Sequence, residues 1–145
     1  MEDAEGVVVH DHLFDPCGYS MNGVASKNRY WTIHITPEAH CSYVSFETNI
    51  SPCSYAHLVS KVLCTFQPQR ATMVVQADKF SPVASTGLVG VSIDGYSITG
   101  QSMTQLSDLF TVQLVNYQAV DRSLDDGSWT SSTSSSQSSM DVFSR

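Results

Sequence analysis

Three short segments that alternate apolar with polar residues, then one segment of helical period and further strand-like runs, predict an α+β protein built on an antiparallel sheet with helix on one face. The alternation is clearest from Arg29 to Thr36, where Trp31, Ile33 and Ile35 fall on one face and Tyr30, Thr32 and His34 on the other. The helical period is clearest from Ser54 to Phe66, where Tyr55, Leu58, Val59, Val62, Leu63 and Phe66 recur at steps of three and four.

The first element, Val7 to Phe14, is β-branched and short, and Pro16 with Gly18 predicts an irregular or edge passage before Tyr19 to Met21. Asn22-Gly23 is expected to begin a turn. Pro37 ends the Arg29 to Thr36 strand, and Ser42 to Ile50 alternates again, so residues 14 to 50 read as a three-stranded meander. Ser51 or Ser54 is suited to cap the following helix, which Pro68 closes. Thr72 to Ala77 and Leu109 to Val120 read as strands. Between them, Phe80 to Asp108 carries only a turn signal at Asp94-Gly95 and then a polar connection. From residue 123 the chain is serine-rich and poor in apolar residues, so the reading divides it into a domain of residues 1–122 and a disordered tail, 123–145.

A chain of 145 residues with 41% hydrophobic content is long enough for one domain with a real core. Its 14 acidic residues against 7 basic give a net charge of −7, which opposes the cationic footprint that a phosphate backbone requires, so no nucleic acid partner is expected. No apolar run approaches the roughly 20 residues needed to cross a bilayer, and the start MEDAEGVVV is acidic where a signal peptide is basic. A cytoplasmic protein with no membrane association is expected. Cys17, Cys41, Cys53 and Cys64 form no CxxC pair and read as free thiols. His10 and His12, with His34, His40 and Cys41, are of metal-ligating type, but their spacing fits no familiar zinc framework and no metal is expected.

The residues suited to chemistry lie between positions 14 and 49. Equal parity along paired strands puts Phe14, Ser20 and His34 on one side of the sheet if the intervening hairpin keeps an even register. An imidazole moves protons near neutral pH, and a hydroxyl donates to or stabilises an oxyanion. Glu38 follows Pro37 at a strand end, where a carboxylate is placed to meet a ligand. Two plainer arrangements compete with this one. Ser20 and His34 would simply satisfy each other and nearby backbone, or they would join a glutamate in a hydrolytic triad. The triad is disfavoured, because Gly18-Tyr19-Ser20-Met21-Asn22 is not G-x-S-x-G and no strand-to-helix elbow follows Ser20.

FDPCGYSMNG, YWTIHITPE and SYVSFETN, in this order and separation, closely resemble the C-terminal half of the eukaryotic S-adenosylmethionine decarboxylases, and the likeness extends over about residues 7 to 120. The resemblance implies one half of a four-layer α-β-β-α sandwich. It implies decarboxylation of S-adenosylmethionine for spermidine and spermine synthesis, with a pyruvoyl group, made by self-cleavage of a proenzyme at an internal serine, as cofactor and electron sink. Carried over by motif, Phe14 resembles the aromatic that stacks on adenine, and Glu38 the carboxylate that holds the ribose hydroxyls. Ser20 and His34 resemble the pair that assists self-processing. Glu47 resembles an acid of the buried charged region that binds putrescine in some members.

In the family the pyruvoyl serine follows a glutamate, and this chain has no Glu-Ser pair: Glu2, Glu5, Glu38 and Glu47 precede Asp, Gly, Ala and Thr. The family's second stacking aromatic and its acid cysteine are also missing, and Cys17 is not that cysteine. The reading is therefore a C-terminal piece that is inactive alone and works with the N-terminal half or chain of a decarboxylase. The alternative is a non-catalytic homologue that binds and regulates a full-length enzyme. Uncovered sheet face and strand edges predict association into homo- or heterodimers, or poor solubility.

Overall fold

The computed structural model describes residues 6–81, 83–84 and 91–120; the expected boundary at residue 122 and the serine-rich tail lie outside them. In chain order the elements are β1 (Val8–Leu13), β2 (Tyr19–Ala25), β3 (Arg29–Thr36), β4 (Tyr43–Thr48), α1 (Tyr55–Phe66), β5 (Arg70–Asp78), β6 (Tyr96–Gln105) and β7 (Phe110–Ala119). The expected α+β class with antiparallel strands holds, and the strands are shared between two sheets, one ordered β1-β2-β3-β4 and one β5-β7-β6.

The first sheet is a meander of four strands rather than three, because β1 pairs along its whole length with β2, from Val8 opposite Val24 to Leu13 opposite Tyr19. The β2–β3 connection is the three-residue turn Ser26-Lys27-Asn28, with Lys27 and Asn28 both at positive φ, 62° and 57°. Asn49 braces that turn from the end of β4: its Oδ1 accepts from the Tyr30 amide at 2.8 Å and its Nδ2 donates to the Asn28 carbonyl at 2.7 Å. Asn22-Gly23, expected to begin the turn, lies inside β2 instead. Gly23 pairs with Trp31, whose indole occupies the space that a Cβ would need, so cross-strand packing overrides the local turn preference.

Helix α1 starts where Ser54 Oγ accepts from the His57 amide at 3.2 Å, and it ends where Gln67 turns left-handed (φ 47°) and donates its N–H to the Leu63 carbonyl at 2.8 Å. Its apolar stripe covers the second sheet. Leu63 is buried with Ile93, Val115 and Tyr117, and Val59, Ala71, Met73, Val91 and Tyr96 surround that cluster. Polar atoms inside are paired: the Tyr117 hydroxyl donates to the Val91 carbonyl at 3.1 Å, Tyr96 to Pro68 at 3.0 Å, and the buried Gln113 amide to Val83 at 2.9 Å.

Strand β6 runs where the sequence predicts only a turn and a polar connection. It is an edge strand, largely exposed, with its register broken between Ile98 and Gly100. The bulge interrupts a period of two that few apolar residues mark in any case. The turn at Asp94-Gly95 does precede it, with Gly95 at φ 81°.

Candidate functional site

The pairing of the first sheet places polar residues in rows. Ser20 on β2 stands directly opposite His34 on β3, and the row continues to His12 on β1 and Ser45 on β4. Residues opposite one another in an antiparallel pair share a face, so the even register needed to bring Ser20 and His34 together is present. Their side chains meet: Ser20 Oγ lies 2.7 Å from His34 Nδ1, with the direction of donation set by the imidazole tautomer. The pair is half-buried. The opposite face of the same strands carries Met21, Trp31, Ile33, Ile35 and Phe46, of which Trp31 is buried and the rest are partly buried.

Ser20 and His34 open into a cleft of about 320 Å³ lined also by Phe14, Cys17, Gly18, Thr36 and Glu38. Four of the five residues singled out from the sequence therefore share one space. Phe14 follows the last residue of β1, in a short loop closed by its own amide, which donates to the Gly18 carbonyl at 2.9 Å. Gly18 takes φ 112°, a conformation that few side chains adopt, and this lets the chain double back into β2 beside Phe14. Glu38 lies just past the end of β3, where Pro37 withholds an amide and stops the ladder. Glu47 does not line the cleft: it is exposed on β4 opposite Thr32, one row along the same face as His34.

Two cleft neighbours were not singled out as site residues. Cys17 lines the cleft with its Sγ 3.8 Å from the Pro37 carbonyl. His12, read from sequence only among residues of metal-ligating type, packs its ring edge-on to Phe14, with centroids 4.6 Å apart and planes at 76°. The signal for His12 is its equal parity with Phe14 within the predicted first strand, Val7 to Phe14. Tyr19 also borders the cleft; desolvation, with the hydrogen bond (3.2 Å) and charge of Asp11, raises its phenol above the ordinary value. Among the described residues no three His, Cys, Asp or Glu side chains are grouped to hold a metal ion, and no helix is long and apolar enough to cross a membrane.

A cleft lined by a hydroxyl–imidazole pair, an exposed aromatic ring and a carboxylate suits a small ligand with an aromatic and a hydroxyl-bearing part. Comparison with known proteins gives the same direction. Residues 4–118 match the family model described as Adenosylmethionine decarboxylase. The chain is 42% identical over 118 residues to the S-adenosylmethionine decarboxylase proenzyme of Dictyostelium discoideum, covering 81% of this chain and 31% of that protein. To the Xenopus laevis proenzyme it is 42% identical over 103 residues, 71% of this chain and 31% of that one. The fold matches the crystal structure of a Trypanosoma brucei AdoMetDC monomer with a TM-score of 0.71 and 34% identity, over 81% of this chain and 48% of that chain. The chain thus spans about a third of the length of the curated relatives it matches.

Proposed function

The chain belongs to the adenosylmethionine decarboxylase family, and on that premise we propose that its cleft forms part of an S-adenosylmethionine decarboxylase site in polyamine biosynthesis. The observation that carries the reading is the Ser20–His34 pair at 2.7 Å in one cleft with Phe14 and Glu38. The Phe14 ring offers an apolar face to the adenine, and Glu38 accepts hydrogen bonds from the ribose diol, which presents two donors to one carboxylate. A sulfonium cation gains from both the ring and the negative charge.

The family's pyruvoyl group supplies an electron sink for the departing carboxylate. It would form from a serine outside these 145 residues, since no Glu-Ser pair occurs here. The cleft suits that neighbour, since its lining offers one hydroxyl and one imidazole 2.7 Å apart. In the tautomer whose Nδ1–H donates to Ser20 Oγ, Nε2 carries the free lone pair and is the ring position through which His34 takes a proton during self-processing. Ser20 fixes the imidazole for that transfer. Glu47, exposed one row away, is assigned to a putrescine-binding charged region.

The test is a chimera in which residues 7–120 replace the matching segment of the Dictyostelium proenzyme. Self-cleavage and release of carbon dioxide from carboxyl-labelled S-adenosylmethionine are expected, and His34→Ala is expected to stop cleavage. A folded chimera that cleaves equally well with His34→Ala removes the proton-transfer role, and one that never binds S-adenosylmethionine removes the whole reading. The absence of a Glu-Ser pair also supports a second reading, a non-catalytic subunit that pairs with a full-length decarboxylase. Co-purification of the 145-residue chain with the Dictyostelium enzyme, with a changed rate, would favour it.

A further inference from the structure

Phe14 is 48% exposed and lines the cleft, and it is outside the hydrophobic core cluster of the described residues. A phenyl ring so placed gains rotamer freedom and loses little by swinging into water, yet a stacking platform works only when its plane is held. Two elements flank it. Gly18 limits it from the chain side, and the imidazole of His12 meets it edge-on at 4.6 Å and 76°. That geometry lies within the favoured edge-to-face range for aromatic pairs.

The backbone of His12 is fixed by the β1–β2 ladder, while its ring is exposed at the sheet edge, with the Phe14 ring as its ring contact. His12 lies two residues before Phe14 on β1, and the ladder sets it opposite Ser20, which is opposite His34. A contact to the His12 ring therefore ties the orientation of Phe14 to the row that holds the hydroxyl–imidazole pair. We propose that His12 is a positioning residue: its ring holds the Phe14 side chain in one rotamer so that the free face of the phenyl receives the purine of an adenosine-type ligand. The ligand half of this inference rests on the function proposed above; the contact itself does not.

The full 145-residue chain with His12→Ala tests it, with His12→Phe as the conservative rescue and 5′-deoxy-5′-methylthioadenosine as probe. Losing one edge-to-face contact is expected to weaken probe binding roughly threefold to tenfold, and His12→Phe to restore it. Combined with Phe14→Leu, His12→Ala should cost nothing more, since the two act as one unit. Three-bond couplings of Phe14 report the rotamer without ligand. A single rotamer is expected in the wild type and in His12→Phe, and averaging in His12→Ala. An unchanged Phe14 rotamer in a folded His12→Ala protein overturns the inference, as does unchanged probe affinity in a chain where Phe14→Leu weakens binding. A wild-type chain that ignores the probe counts against the nucleoside reading, and the couplings then decide the role of His12 alone.

Discussion

Gly23 of β2 and Trp31 of β3 face each other so closely that a Cβ on Gly23 would overlap the six-membered ring of the indole. The glycine is there to make room, and Trp31, only 6% exposed, uses that room to close the apolar face behind the Ser20–His34 row. Gly23→Ala is expected to destabilise the chain by about 1–3 kcal/mol through overpacking. In a double variant with Trp31→Val the two costs should sum to less than their separate values, because the smaller side chain frees the space. Urea midpoints at constant m-value read this; full additivity would show that the contact is not the cause.

What could be read from residues alone follows from how strongly burial marks each element. α1 sets one apolar face against the core, and β3 gathers its apolar residues on one face around the buried Trp31, so Leu58, Val59 and Leu63, and Trp31, Ile33 and Ile35, announce their period. The site was legible for a related reason, since Ser20 and His34 interrupt strand sequence with groups that need partners, and parity then predicts that they meet. Resemblance of motifs, rather than pattern, singled out Phe14 as a stacking ring. β6 was illegible because an exposed edge strand such as Tyr96–Gln105 buries too little to impose alternation, and its bulge breaks what there is. Asn22-Gly23 misled because turn chemistry is local, whereas the claim of Trp31 on Gly23 is a cross-strand fact.

The ends of α1 offer a paired test. Ser54 satisfies an amide of the first turn, so Ser54→Ala should cost about 1 kcal/mol. Gln67 pays for a left-handed conformation that glycine adopts freely, so Gln67→Gly should stabilise by about 0.5–1 kcal/mol. Opposite shifts of thermal midpoint are expected from the two variants. A destabilised Gln67→Gly would mean that its side chain contributes more than the backbone relief.

The Ser20–His34 hydrogen bond has a stability consequence independent of any reaction. Ser20→Ala leaves a half-buried imidazole nitrogen without its partner and is expected to cost about 1–3 kcal/mol. The cost of Ser20→Ala should fall in a His34→Leu background, where no nitrogen waits for it. Equal costs in both backgrounds would show that the pair is energetically uncoupled and would weaken its claim to hold the imidazole for proton transfer.

Tyr117 links the core to pH. Burial pushes its phenol above the ordinary value of about 10, and the hydroxyl donates to the Val91 carbonyl. A raised value in the folded state means that the native chain keeps a proton that the unfolded chain releases first. The stabilisation is therefore complete below about pH 10 and declines as pH rises from there through the folded-state value. Tyr96, also raised by burial, adds to the same decline. Tyr117→Phe should lower stability at neutral pH by about 1 kcal/mol through the lost hydrogen bond, yet flatten the loss above pH 10, since phenylalanine has no proton to release. Urea midpoints between pH 8 and 11 separate the two effects: parallel curves for wild type and Tyr117→Phe would mean that this phenol does not drive the alkaline loss.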